Sequence, residues 1–209
     1  MAVGLIRKRR RLPETTVIGI GCAGIRMTDE EFDTAEFDDE WVYELFDGVL
    51  VVSPVPGEAE VDPNEELGLM LRMYRRTHPR GAALDKTLPE RYVQWPRNRR
   101  KADRVIWAGL GRRPDPKRDT PNIVVEFVSL GRRNQLRDYS EKLAEYMALG
   151  VSEYWTIDRF SRSMTVATMV RGQLMRRVIR ANQSYRTKLL PGFQLRLADL
   201  FRISDEWDQ

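Results

Sequence analysis

One stretch constrains this chain more than any other: Ile123-Val124-Val125-Glu126-Phe127-Val128. A near-continuous apolar run of this length reads as a fully buried β-strand. An ionised carboxylate inside such a strand is costly unless a metal ion, a cation or hydrogen-bond donors compensate it. The spacing of Leu136, Tyr139, Leu143, Tyr146 and Met147 then predicts a helix over 135–149, with Gly150 as its C-cap. Glu153 to Asp158 reads as the next strand. Strand, helix, strand with a connection of this length is a βαβ unit, so the two strands should run parallel. Glu126 thus suggests a site inside a buried sheet.

The rest of the chain supplies further elements. Thr28-Asp29-Glu30-Glu31 is a capping box that should open a helix. Asp47-Gly48 between apolar runs predicts a hairpin over 43–52, ended by Ser53-Pro54-Val55-Pro56-Gly57. Leu67, Met70, Leu71 and Tyr74 fall on one face of a helix over 64–77, and His78 reads as its C-terminal residue rather than a ligand. Strands and turns follow over 84–107, closing on Asp103-Arg104-Val105-Ile106-Trp107, and then a polar loop from Gly109 to Pro121. A second hairpin turns at Arg171-Gly172, and a short helix lies near Leu197 to Phe201.

Composition narrows the chemistry. The 209 residues suit one well-buried domain. No apolar run approaches the roughly 18 residues of a membrane span. One cysteine, Cys22, excludes an internal disulfide and a cysteine-rich zinc site, and fits a reducing compartment such as the cytoplasm. One histidine, His78, excludes a multi-histidine metal site and makes a Ser-His-Asp hydrolase unattractive. Any metal would be a hard ion on oxygen ligands. Residues 1–26, with the basic run Arg7-Lys8-Arg9-Arg10-Arg11 and a stretch broken by Gly19, Gly21 and Gly24, read as a flexible basic extension. An upstream start is the secondary reading, with Met27 as the natural first residue.

The net charge is +4, and the cations cluster. Arg97, Arg99, Arg100 and Lys101 form one group, Arg112, Arg113, Lys117 and Arg118 a second, and Arg132 with Arg133 a third. Such groups suit phosphate contacts, with plain solubility as the alternative. Three residues then combine. Asp103 begins a strand, Glu126 lies in the next, and Lys142 lies on the helix after it. The two carboxylates can meet at the ends of neighbouring strands and, with a backbone carbonyl, hold Mg²⁺. Such an ion lowers the pKa of a bound water and polarises a phosphate. Lys142 is then placed to stabilise transition-state charge or position the attacking water.

These residues carry a resemblance. Val124-Val125-Glu126-Phe127-Val128-Ser129, then Asp138, Lys142 and Tyr146, then Gly150-Val151-Ser152-Glu153-Tyr154-Trp155-Thr156-Ile157-Asp158 closely resemble the Uma-two family of restriction-endonuclease-like proteins. Tyr43-Glu44-Leu45-Phe46-Asp47-Gly48, Ser53-Pro54 and Leu190-Pro191-Gly192-Phe193 match it too, so the resemblance covers about residues 27–201. It implies the PD-(D/E)XK phosphodiesterase superfamily and an α/β (α+β) fold with a restriction endonuclease-like central mixed β-sheet flanked by helices, here over 27–209. It also implies a Mg²⁺- or Mn²⁺-dependent nuclease centre acting on DNA. By position Asp103 and Glu126 take the places of the two acidic metal ligands. Lys142 takes that of a lysine moved to the helix, since Val128 stands two residues after Glu126. Glu44 matches a further acidic position, that of an additional metal ligand or orienting group, and Phe127 offers its backbone carbonyl to the metal. Arg100, Lys101, Arg112, Arg113, Arg132 and Arg133 are the expected nucleic-acid contacts. Three features depart from the family: Ala102 replaces a proline, Ser129-Leu130-Gly131 stands for a Ser-Pro-Ser-like stretch, and Asn64 or Glu65 stands where a histidine is common.

Bland readings stand beside these. Asp103 alone can be a strand-end cap. Glu126 can be a buried partner of Lys142 or an arginine, and Asp138 can pair with Lys142 along the helix. A metal-dependent endonuclease, as a homodimer if it cuts both strands, therefore competes with a catalytically silent nucleic-acid-binding or assembly module on the same fold.

Overall fold

Thr28 opens the first helix, α1 (Asp29–Thr34), as its capping box requires: its Oγ1 accepts the Glu31 N–H at 3.1 Å while Glu31 Oε2 accepts the Thr28 N–H at 2.7 Å. The computed structural model describes residues 17–129 and 141–208. The chain forms two compact units: residues up to Val55 with Gln94–Lys101, and Pro56–Val93 with the chain from Ala102 onward.

In the first unit, β1 (Trp41–Phe46) and β2 (Val49–Pro54) pair antiparallel. Asp47 and Gly48 both take positive φ, 46° and 72°, a turn whose twist matches that of the strands it joins. Ile18, Met27, Phe32, Tyr43, Leu45 and Leu50 form the core. Residues 17–26 belong to the segment expected as a flexible extension, yet they are bound into this unit. Ile18 bridges Phe37, the Gly24 N–H donates to the Leu50 carbonyl, and the Leu50 N–H donates to the Ile25 carbonyl. Burying Ile18 among Phe32 and its neighbours is the physical reason.

The second unit holds the βαβ segment. Helix α2 (Glu58–Thr77) begins six residues before the predicted start at 64 and runs through Pro63. Leu67, Leu71 and Tyr74 turn inward, and His78 caps the helix, its N–H donating to the Tyr74 carbonyl. Strands β3 (Leu84–Trp95) and β4 (Asn98–Ala108) each pass from one unit to the other. Within the second unit the order is β4, β5 (Ile123–Phe127), β6 (Glu153–Asp158), β7 (Ser163–Val170), β8 (Gln173–Arg180), with β3 against β4. Strands β5 and β6 are parallel, from Ile123 opposite Glu153 to Phe127 opposite Ile157, and the other pairs of that order are antiparallel. The sheet is therefore mixed.

Its two faces divide the chemistry. Ile106, Val125, Trp155, Val166 and Ile179 share one face and pack with α2 and the C-terminal helix α4 (Leu197–Asp205) in the main core. By strand alternation Glu126 and Thr156 point to the other face. There the helix α3 (Lys142–Ala148) lies over Tyr154 through Tyr146, ring centroids 5.5 Å apart. Gly150, at φ 92°, turns the chain just beyond the helix. Ser184–Tyr185 (β9) and Leu195–Arg196 (β10) make a small separate ribbon. Among the described residues no helix is long and apolar enough to cross a membrane.

Candidate active site

Glu126 is 2% exposed and its charge is met from α3. Lys142 Nζ donates to Oε2 at 3.1 Å, and the Tyr146 hydroxyl donates to Oε1 at 3.4 Å. Lys142 and Tyr146 stand four residues apart, on one helix face, so a single short helix delivers both donors. Lys142 is itself 3% exposed. Each charge thereby offsets the burial cost of the other. Burial alone does not mark a site: Glu153, buried on the same sheet, is satisfied by the Trp155 indole N–H, the Tyr185 hydroxyl and the Thr187 hydroxyl at 2.8, 2.9 and 2.6 Å. Glu126 differs in holding a buried cation.

Asp103 lies within β4 rather than at its beginning. The β4–β5 ladder runs from Ile106 opposite Ile123 to Arg104 opposite Val125 and stops. The next β5 N–H on that side belongs to Phe127, and Asp103 Oδ2 accepts it at 2.6 Å. A carboxylate thus ends the ladder, beside Glu126 on the neighbouring strand. Continuing the register by one residue sets Asp103 opposite Glu126, on the same face. It is the Phe127 N–H, not its carbonyl, that the structure shows engaged here.

On the opposite face, Arg104 is fully buried. Its Nε donates to Asn64 Oδ1 at 2.7 Å and its Nη2 to the Asn64 carbonyl at 2.6 Å, with Glu65 Oε1 at 3.3 Å. Burial draws its pKa down to about 10. Sequence reasoning noticed Asn64 only as a replacement for a histidine. The readable signal was a polar residue three before Leu67, on the apolar face of α2.

Other expected residues have surroundings of their own. Glu44 is buried in the first unit, where Oε1 accepts the Lys101 N–H at 2.9 Å and Oε2 lies 3.6 Å from Arg100 Nη1. Arg100 is 1% exposed and stacks over Phe46, so the expectation that it meets phosphate is corrected: its charge is spent on Glu44 inside the unit. Arg112 and Arg113 sit on the loop after β4. That loop starts at the far end of the strand from Asp103, about 17 Å away at strand rise. Arg112 grips Asp119 through two 2.6 Å bonds and holds its carboxyl down to about 2, while Arg113 is exposed. Asp85 pins the loop by accepting the Leu110 and Gly111 N–H groups at 2.7 and 2.9 Å. Arg132, Arg133 and Asp138 lie outside the described residues.

The donor set suits a hard ion in kind: two carboxylates on adjacent strands, no histidine or thiolate. No group of three or more His, Cys, Asp or Glu side chains converges among the described residues. A metal here would keep several waters, as Mg²⁺ usually does.

The comparisons agree with this architecture. A crystal structure from Anabaena variabilis, described as "a putative nuclease belonging to DUF820", shares the fold with a TM-score of 0.66 at 13% identity, over 85% of this chain and 99% of that one. A mixed sheet flanked by helices, shared with that structure, is thus the class of protein the fold defines. The family model Uma2, "Putative restriction endonuclease", matches residues 29–198. The chain belongs to the Uma2 family. No curated protein matches it.

Proposed function

We propose that this chain is a Mg²⁺- or Mn²⁺-dependent DNA endonuclease that hydrolyses phosphodiester bonds. The observation that carries the reading is the buried Glu126–Lys142–Tyr146 cluster, set where the β4–β5 ladder ends on the Asp103 carboxylate. Asp103 and Glu126 would hold the divalent ion. That ion supplies Lewis-acid polarisation of the phosphate and a more acidic bound water. Lys142 brings a buried ammonium to the same point. A fixed positive charge in a dry site is suited to an oxyanion forming on phosphorus. Tyr146 orients the Glu126 carboxylate from its second oxygen.

The charge on the surface supports a polyanionic substrate. From Arg159 to Ala198 there are nine Lys or Arg and no Asp or Glu in 40 residues. Arg171, Arg176, Arg177 and Arg180 of the β7–β8 hairpin are all exposed. In this reading they take phosphate contacts, in place of the buried Arg100. Duplex cleavage by one small centre calls for two copies, so the active form is a homodimer.

Cleavage of plasmid DNA in Mg²⁺ or Mn²⁺ tests the reading. EDTA abolishes cutting, and Asp103→Ala and Glu126→Ala bind DNA without cutting it. Retained cutting by both variants sinks it. A second reading, a catalytically silent nucleic-acid-binding module, is favoured by one observation: Lys142 already matches the charge of Glu126 within the chain. It expects salt-sensitive DNA binding with no turnover in any divalent metal.

A further inference from the structure

Strand register sorts the exposed arginines of the β7–β8 hairpin by face. Three ladders join β5 to β8: Glu126 stands opposite Thr156, Thr156 opposite Thr165, and Thr165 opposite Val178. Residues paired across strands point to one face, and positions two apart along a strand share it. Arg176 and Arg180 therefore stand on the Glu126 face, and Arg177 on the other. Arg177 is opposite Val166, which belongs to the main core. Its charge is felt there by Tyr185: burial and Glu153 raise the Tyr185 hydroxyl pKa, and Arg177 draws it down.

Exposure rises along the row. Glu126 and Thr156 are each 2% exposed, Thr165 is half-buried, and Val178 is 52% exposed. The row leads from the buried carboxylate to β8, which ends the strand order. Helix α3 starts at Glu126 with Lys142 and runs back over Tyr154. Arg176 shares the level of Tyr154, through Ala167. Arg180 stands on the other side of the row, opposite Ser163, which is opposite Asp158. That side is the carboxyl end of the parallel strands β5 and β6, where open sheets of this kind bind ligands. At usual spacings Arg180 lies about 14 Å across from Glu126 and about 7 Å along, or about 16 Å in all. Paired backbone, rather than a loop, fixes that separation.

We propose that Arg180 is a substrate-positioning arginine. It holds one phosphate of the strand being cut about 16 Å from the bond at Glu126, and so aligns the backbone with Asp103, Glu126 and Lys142. A guanidinium suits a phosphate through two parallel bonds. At a rise of about 3.4 Å per nucleotide, that phosphate is about five steps from the cut. Arg177, on the far face, attracts DNA by charge without setting its register. The proposal rests on the reading of the chain as a metal-dependent nuclease.

The test is cleavage in Mn²⁺ by the full chain of an end-labelled duplex centred on a bond that it cuts in plasmid DNA. One neutral methylphosphonate is stepped along the cut strand. In wild type a neutral linkage about five steps from the cut slows cutting about 10-fold, the worth of one charge-assisted contact. Arg180→Gln, with a melting temperature close to wild type, raises KM about 10-fold on the unmodified duplex, keeps kcat, and no longer responds to that linkage. Arg180→Lys recovers part of the KM. Arg177→Gln binds more weakly and keeps the wild-type response to the linkage. An Arg180→Gln chain that responds at the same step, or a wild type with no responsive step away from the cut, overturns the proposal and leaves the nuclease reading standing. A wild-type chain that cuts no DNA in Mn²⁺ or Mg²⁺ overturns the reading beneath it as well.

Discussion

Lys142 and Glu126 share one buried bond, and each is the other's compensation. Removing one partner leaves an uncompensated buried charge, which typically costs about 3–5 kcal/mol. Lys142→Ala should therefore lower stability by that amount in urea unfolding, independent of any effect on cleavage. The double variant Glu126→Gln with Lys142→Met should recover most of the loss. If Lys142→Ala is as stable as wild type, the pair is not the buried couple described. Glu126 was legible as an anomaly because a carboxylate interrupts an apolar run. Its partners were legible only through the helical spacing of Lys142 and Tyr146. The link from Asn64 to Asp103 was not, since it joins residues 39 apart through a side chain and a carbonyl.

At the scale of elements, local chemistry decides starts and turns. The capping box fixed where α1 begins, and the Asp47-Gly48 and Arg171-Gly172 pairs fixed both hairpins. Helix α2 was read six residues short because Pro63 removes an N–H and interrupts the pattern, while packing of Pro63 and Asn64 against the sheet side carries the helix through it. The same helix passes Arg104 at Gly68. Gly68→Ala should destabilise the fold by about 1–3 kcal/mol, the usual cost of overpacking. Arg104→Met in the same chain should reduce that penalty. Equal destabilisation with and without Arg104, measured by thermal unfolding, would show that this close approach is not the cause.

Across the whole molecule, charge is distributed unevenly along the sequence and the fold decides which part reaches solvent. Arg100 and Arg104 look like surface cations in a basic stretch, yet both are buried. The carboxylate-free segment from 159 to 198 presents its hairpin arginines outward. Replacing Arg171, Arg176 and Arg177 by Gln should weaken metal-free DNA binding. It should also flatten the dependence of log K on log salt by about 0.9 for each phosphate these arginines neutralise. An unchanged slope would remove the hairpin from the DNA interface and leave the Asp103–Glu126 chemistry untouched.

What the sequence determined by itself follows from short-range rules. Alternation and helical period marked the strands and helices, the connection length made β5 and β6 parallel, and an acid in an apolar strand pointed to Glu126. The tertiary structure alone decided which charges meet. Whether an arginine faces solvent or a buried glutamate depends on register between strands far apart in the chain. Arg104 is such a case: nothing in its own segment marks it as the buried cation that Asn64, on a helix far earlier in the chain, holds inside the core.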